Sequence, residues 1–109
     1  MVPFVEKLSK CVECFMHVYS NAGLPNAMGG YDDTPDDMAK QNEVFCKNGW
    51  LNMVGGCCGS TPQHIAAIRE MAKNYKPRKL PDITRPKMWL SGLEDLIVDD
   101  VHNPLGLPF

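Results

Sequence analysis

Two adjacent cysteines, Cys57 and Cys58, stand between glycines in the stretch NMVGGCCGSTPQHI, residues 52–65. Two neighbouring thiolates repel each other unless a cation holds them, and Zn²⁺ binds thiolate sulfur at about 2.3 Å. The pair lies between an apolar run and a helix start, where functional groups gather in parallel α/β proteins. Gly55, Gly56 and Gly59 are predicted to allow a backbone on which both sulfurs converge. The residues alone leave two interpretations open, a zinc site or two small residues in a tight glycine turn.

Other candidate ligands are explained by ordinary structural roles. Cys11 and Cys14 form a C-x-x-C pair, but we expect both to pack in the core, as we expect for Cys46. His17 lies in an apolar run and is predicted to be a core histidine, whereas His64 is predicted to be exposed in a first helical turn. The remaining candidates are a histidine in the tail and four acids with turn and helix-dipole roles: His102, Asp32, Asp33, Asp36 and Asp37.

The elements that position these residues begin with a predicted short helix at residues 3–10. The apolar residues 11–21 follow, and they predict a buried parallel strand. After a loop, Thr34 is predicted to cap a helix that runs from Pro35 to Lys47. Its end is predicted at Asn48-Gly49, and its inward positions are Met38, Val44 and Phe45.

A second strand is predicted at residues 50–54, followed by the glycine and cysteine turn. Ser60 or Thr61 is expected to cap a last helix from Pro62 to about Tyr75. The predicted inward positions of this helix are Ile65, Ile68, Met71 and Ala72. The proline-rich remainder predicts an extended tail with one weak turn at residues 91–97.

This alternation of helices and strands predicts parallel strands joined by right-handed crossovers. Two strands do not make a sheet core, and a (β/α)8 barrel needs about 250 residues. The predicted fold class is therefore α/β, a fragment of a (β/α)8 TIM barrel with an extended C-terminal tail. The fragment holds about the last two β/α units and the helix before them. We assign residues 1–76 to the partial barrel and 77–109 to a linker or tail.

Composition and charge exclude several classes of function. The net charge is −2 and the only basic cluster is at residues 76–79, which argues against a nucleic-acid partner or an anionic membrane. The longest apolar run is shorter than the roughly 18 residues of a membrane span, and residues 1–10 lack a signal-peptide pattern. The five cysteines are odd in number and unevenly spaced, which favours a reducing, cytoplasmic location.

A longer string, VGGCCGSTPQHIAAI, resembles the zinc signature of the homocysteine S-methyltransferase family. More narrowly, YSNAGLPN at 19–26, YDDTPDDMA at 31–39 and KMWLSGLE at 87–94 resemble the cobalamin-dependent methionine synthases of that family. The resemblance runs in order from about Met1 to Glu94. It places the chain at the end of the homocysteine-binding barrel and the start of the linker that follows.

The resemblance implies a methyltransferase of methionine biosynthesis. Zinc held by three cysteines binds the homocysteine sulfur as a thiolate, which attacks a methyl group carried by methylcobalamin in the full-length enzyme. Cys57 and Cys58 match two of the metal ligands. Asn21 matches a substrate-binding position that lines the site.

The sequence also departs from the family pattern. The third cysteine ligand belongs to a strand that would precede residue 1, and the early barrel strands and the cobalamin and folate domains are absent from these residues. Three hypotheses follow: a methyltransferase that is active with the rest of its barrel, a truncated non-catalytic zinc-binding fragment, or an interaction module that docks on a partner chain. We expect the isolated chain to be inactive.

Overall fold

A computed structural model describes residues 1–82 and 88–98 of the chain. The predicted extended tail at 83–87 and 99–109, which includes His102, lies outside these residues. Three helices and four short strands are present in the described part of the chain. They are α1 (Val2–Cys11), β1 (His17–Ser20), α2 (Pro35–Lys47), β2 (Met53–Gly56), α3 (Pro62–Ala72), β3 (Met88–Ser91) and β4 (Asp95–Val98).

Strands β1 and β2 form a two-stranded parallel sheet, and α2 connects them. The parallel pairing predicted from the alternation of elements is thus confirmed, and its register places His17 opposite Met53 and Ser20 opposite Gly56. This arrangement is consistent with a fragment of an α/β domain. Strand β1 lies within the predicted range 11–21 but begins only at His17, and β2 begins three residues and ends two residues after the predicted range 50–54. Just before both strands begin, the Asn52 side chain accepts a hydrogen bond from the Met16 amide at 3.0 Å.

Helix α2 has the boundaries that its end signals predict. Thr34 is the N-cap, and its Oγ1 accepts a hydrogen bond from the Asp37 amide at 3.3 Å. Asp37 Oδ2 in turn accepts from the Thr34 amide at 3.1 Å, which completes a capping box. Hydrogen bonds from the Thr34 side chain and then from its backbone lower the pKa of Asp37. At the other end, Gly49 has a φ of 66°, a left-handed conformation that favours glycine.

The core forms two clusters on the helix-facing side of the sheet. One contains Val5, Met16, Val18, Phe45 and Leu51, and the other contains Ala22, Met38 and Ile68. Met38, Phe45 and Ile68 therefore face inward as predicted, and Met71 and Ala72 are half-buried.

Two of the predicted inward positions are wrong. Val44 is 41% exposed because Asn42, at 1% exposure, takes the buried position between Met38 and Phe45. Ile65 is 45% exposed, whereas His64 beside it is buried.

The other face of the parallel sheet is open. Because side chains alternate along a strand, His17 and Tyr19 lie on the face opposite the buried Val18. Their rings are 4.9 Å apart, and Met53 on β2 is 55% exposed. The prediction of a core histidine at position 17 is wrong, since a strand with one open face leaves every second side chain in solvent.

The segment between α1 and β1 is not a strand. Cys11 is the last residue of α1 and Cys14 lies in a bend, and both are exposed, so the prediction that they pack in the core is wrong. Cys46 on α2 is partly buried. Burial, and then the charge of Glu43, raises the pKa of this thiol.

Arg78 ties the segment after α3 back to α1. Its side chain is only 5% exposed, and the guanidinium donates to the carbonyls of Ser9, Val12 and Cys14. The Arg78 amide also donates to the Leu51 carbonyl at 2.8 Å. These bonds satisfy carbonyl groups at and beyond the C-terminal end of α1, where a helix has no internal donors.

Strands β3 and β4 form an antiparallel hairpin with Met88 opposite Val98. The weak turn predicted at 91–97 is therefore part of a hairpin. The prediction of an extended tail is wrong for the residues that form β3 and β4. None of the helices in the described residues is long and apolar enough to cross a membrane.

Candidate metal centre

The cysteine pair lies at the C-terminal ends of both parallel strands. Cys57 directly follows β2, and its amide donates to the Ser20 carbonyl of β1 at 2.8 Å. The Cys58 carbonyl accepts from the Ala22 amide at 2.9 Å. These two hydrogen bonds carry the parallel pairing past the strand ends and hold the turn beside the end of β1.

The two sulfur atoms converge. Cys57 Sγ and Cys58 Sγ are 3.8 Å apart, and both side chains are exposed. Two ligands at about 2.3 Å from one tetrahedral zinc ion are separated by about 3.8 Å. The donor set and its spacing therefore fit two positions of a zinc site without rearrangement of the turn.

Asn21 is brought to the pair by the end of β1. Its Oδ1 accepts a hydrogen bond from the Cys58 amide at 3.0 Å. Asn21 is exposed, and with Tyr19 and Ser20 it lines a cavity of about 540 Å³. The side chain thus anchors the cysteine turn and adjoins a space in which a small molecule can lie.

Tyr31 is a residue that sequence reasoning missed. The interaction of its hydroxyl with Cys58, followed by burial and by the charges of Cys58 and Cys57, raises the pKa of Tyr31. Its ring lies against Gly59, whose φ is 77°. A Cβ on Gly59 would lie 2.6 Å from the Tyr31 Cγ atom. Residue spacing gave no signal for this contact, because the loop at 22–34 brings Tyr31 to the turn.

The family model for homocysteine S-methyltransferase matches residues 1–72. The chain belongs to the homocysteine S-methyltransferase family. At the level of this family, the activity is methyl transfer to homocysteine, which is the substrate that membership implies. The matched residues include both parallel strands and both cysteines, so the candidate metal centre lies within the homocysteine S-methyltransferase region.

The glycines on either side of the cysteine pair have different roles. Gly59 adopts the left-handed conformation that the sequence predicts. Gly55 and Gly56 do not have a positive φ, because they are the last two residues of β2. A Cβ on Gly56 would lie 2.7 Å from the Ser60 Cβ and 3.3 Å from Ile65 Cδ1, so the absence of a side chain lets the turn fold back closely.

His64 is buried, which corrects the prediction that it is exposed. The Thr61 amide donates to its Nδ1 at 3.2 Å, and its Nε2 is 2.8 Å from the Asp33 carbonyl oxygen. Because Nδ1 accepts a hydrogen bond, the ring hydrogen lies on Nε2, which donates it to the Asp33 carbonyl oxygen. This neutral histidine ties the start of α3 to the loop that carries Tyr31.

The other cysteines do not join the pair. In residues 1–82 and 88–98, no three His, Cys, Asp or Glu side chains come together as a metal-binding group. Cys11 and Cys14 precede β1, at the opposite end of the strand from Asn21. The described part of the chain therefore brings two thiol groups together at one place, those of Cys57 and Cys58.

Proposed function

We propose that this chain is the C-terminal part of the homocysteine-binding barrel of a cobalamin-dependent methionine synthase, with Cys57 and Cys58 as zinc ligands. The observation that carries the proposal is the 3.8 Å separation of their sulfur atoms at the ends of two parallel strands. Family membership supports homocysteine as the substrate. The strand-end position supports catalysis, since barrel enzymes build their active sites there.

The proposed chemistry is a displacement at carbon. The homocysteine thiolate attacks the methyl group of the donor, a sulfur–carbon bond forms, and the donor leaves with the electron pair of the broken bond. Bound zinc supplies a Lewis acid that keeps thiols deprotonated at neutral pH. Cys57 and Cys58 would hold the zinc ion, and Asn21 fixes the cysteine turn and lines the adjoining cavity. In the full-length enzyme the methyl group would come from methylcobalamin.

The third ligand and the remaining walls of the site are proposed to come from missing barrel segments or from a partner chain. The open sheet face supports this, because Tyr19 is 60% exposed and Met53 is 55% exposed. Supplying the preceding barrel strands in trans should give a complex. Tyr19→Glu should weaken that complex, whereas Ile65→Glu, on an exposed helix position, should leave it intact. Equal effects of both substitutions would contradict a docking role for the open face.

Zinc content tests the metal centre in the 109-residue chain. Protein purified with zinc should hold close to one ion per chain, and Cys57→Ser or Cys58→Ser should abolish this stoichiometry. Cys14→Ser is the matched control, because Cys14 is an exposed thiol outside the turn. Zinc content that is insensitive to Cys57→Ser, or equally sensitive to Cys14→Ser, would contradict the proposal.

A second candidate function is a truncated, non-catalytic zinc-binding fragment. It is favoured by the presence of two converging thiols, rather than three, in the described residues. Methyl transfer from methylcobalamin to homocysteine, assayed with the barrel strands supplied in trans, separates the two candidates. Turnover that requires Cys57 favours the methyltransferase, and stoichiometric zinc without turnover favours the fragment.

A further inference from the structure

His64 is a buried imidazole whose two ring nitrogens both bind backbone groups. The side chain is 7% exposed, its Nδ1 accepts from the Thr61 amide at 3.2 Å, and its Nε2 donates to the Asp33 carbonyl at 2.8 Å. The first bond belongs to the start of α3, whereas the second reaches 31 positions back along the chain. The proposed methyl transfer uses neither bond, so the role of this buried group is open.

The residue that His64 reaches, Asp33, lies at the neck of the loop that follows β1. The Asp33 amide donates to the Ala22 carbonyl at 3.1 Å, so these two residues close the loop of residues 23–32 at its base. The Ala22 amide in turn donates to the Cys58 carbonyl at 2.9 Å. Because Ala22 is completely buried in a core cluster, the neck of the loop joins the cysteine turn to the core.

These bonds form a closed ring that begins and ends at the cysteine turn. Its members are Cys58, Ala22, Asp33, His64 and Thr61. The chain itself joins Thr61 back to Cys58, three residues earlier. His64 supplies the side-chain link of this ring, and the bonds between the other members are between backbone groups. A substitution at position 64 can therefore open the ring without altering the cysteine turn itself.

We propose that His64 is a positioning residue of the metal centre. Its neutral imidazole closes the ring and thereby holds the Cys58 backbone in the conformation that brings the two sulfur atoms to 3.8 Å. This inference rests on the proposed function. His64 acts on Cys58 through Asp33 and Ala22, and a turn that is held before the metal arrives loses less conformational freedom when it binds.

A purely structural role for His64 would rest on the start of α3 and not on the loop. His64→Asn separates the two roles. At the equivalent third position of α2, Asp37 accepts from the Thr34 amide, so a side chain of this length keeps the bond to the Thr61 amide. It is too short to replace the imidazole Nε2 as donor to the Asp33 carbonyl, and the ring is opened.

His64→Gln is the matched variant, because it differs from His64→Asn by one methylene group. Its amide carries an acceptor and a donor on one carbon atom, as the neutral imidazole does on its ring. The longer side chain is expected to restore the bond to the Asp33 carbonyl. Val5→Ala removes buried methyl groups from the other core cluster and controls for a general loss of stability.

The first measurement titrates Co²⁺ into the 109-residue chain under anaerobic conditions and records the thiolate-to-cobalt charge-transfer band. Partners that orient a metal ligand contribute about 10–100-fold to metal affinity, and His64 acts through two further residues, so His64→Asn should weaken Co²⁺ binding by about tenfold. His64→Gln should recover most of this loss, and Val5→Ala should bind Co²⁺ like the wild type. Circular dichroism verifies that each variant is folded.

The second measurement needs no metal and follows hydrogen exchange of the Ala22 amide. In the metal-free wild type this amide should be protected like the paired amides of β1 and β2, because it is bonded within the ring. His64→Asn should speed its exchange by more than the change in global stability explains. Fast exchange of this amide in the wild type would refute the ring, whether or not any variant folds.

The outcomes separate this inference from the proposed function. The absence of a thiolate-to-cobalt band in the wild type would refute the metal centre, and the role of His64 there with it. If the wild type shows the band and His64→Asn has the same affinity, the positioning role is refuted and the metal centre stands. Equal losses of affinity in His64→Asn and Val5→Ala, or in His64→Asn and His64→Gln, would also refute the positioning role.

Discussion

Replacing Arg78 by methionine should destabilise the domain by about 3 kcal/mol, although Arg78 lies beyond the residues that match the family. The guanidinium makes four contacts: two with the Ser9 carbonyl, at 2.8 and 3.1 Å, and one each with Cys14, at 2.9 Å, and Val12, at 2.5 Å. Methionine fills a similar volume but donates no hydrogen bond. The perturbation therefore removes the donors and leaves the packing of the aliphatic stem nearly unchanged.

The magnitude follows from the three carbonyl groups that lose their donor. An unsatisfied acceptor costs about 1–3 kcal/mol when it stays buried. Ser9 and Val12 are half-buried and Cys14 is exposed, so water partly replaces the lost donor and the lower value applies to each. The sum of about 3 kcal/mol is large against the 5–15 kcal/mol by which domains are typically stable.

The assay is urea unfolding of the 109-residue chain, followed by tryptophan fluorescence, to which Trp50 contributes from its place against the core cluster near α1. With a slope of about 1–3 kcal/mol per molar urea, the midpoint should fall by at least about 1 M. Arg78→Lys should give an intermediate loss, because an ammonium group lacks the planar fork of the guanidinium. Lys79→Met is the control, since Lys79 is exposed and surface changes are usually within about 0.5 kcal/mol. Equal midpoints for Arg78→Met and Lys79→Met would refute the reasoning.

Two further predictions concern the turn and the second helix. Gly59→Ala should lower both stability and zinc affinity, because its φ of 77° costs about 1–2 kcal/mol with a side chain and the added Cβ collides with Tyr31. Gly49→Ala, with a φ of 66° and no atom within 4 Å of its Cβ, should carry only the backbone cost and keep zinc affinity. Equal zinc affinities of Gly59→Ala and Gly49→Ala would contradict a role of the Gly59 turn in zinc binding. The lowered pKa of Asp37 means that its contribution to stability is complete above about pH 4 and is lost as the pH falls through the lowered pKa. Urea unfolding at pH 6 and pH 2.5 should therefore show a smaller pH dependence in Asp37→Asn, and an unchanged dependence would show that the bond to Thr34 does not affect the pKa.

The helix boundaries could be predicted from the sequence because each helix end depends on residues that are neighbours in the chain. Thr34 and Asp37 satisfy the first amides of α2, and Gly49 ends it, so the range Pro35–Lys47 follows from neighbouring residues alone. The parallel pairing of β1 and β2 was also predictable, because a helix lies between two short apolar runs. The place of Cys57 at a strand end follows from the same alternation.

What could not be predicted depends on contacts between distant segments. His64 looked exposed in a first helical turn, but its burial comes from the Asp33 carbonyl, 31 positions earlier in the chain. Tyr31 reaches the cysteine turn at Gly59 through a loop whose path no periodicity describes. His17 was wrongly assigned to the core because an apolar run predicts burial without showing which face of the strand is covered. The buried Arg78 gave no signal, since a charged residue among prolines is typical of an exposed linker.

The central claim is that the sulfur atoms of Cys57 and Cys58 bind one zinc ion. X-ray absorption at the zinc edge, on zinc-loaded 109-residue chain, tests it most directly because it counts sulfur neighbours and measures their distance. A zinc ion held by both cysteines should show at least two sulfur neighbours at about 2.3 Å, with one fewer in Cys57→Ser. A first shell of nitrogen and oxygen alone, or a sulfur count that Cys57→Ser leaves unchanged, would contradict it.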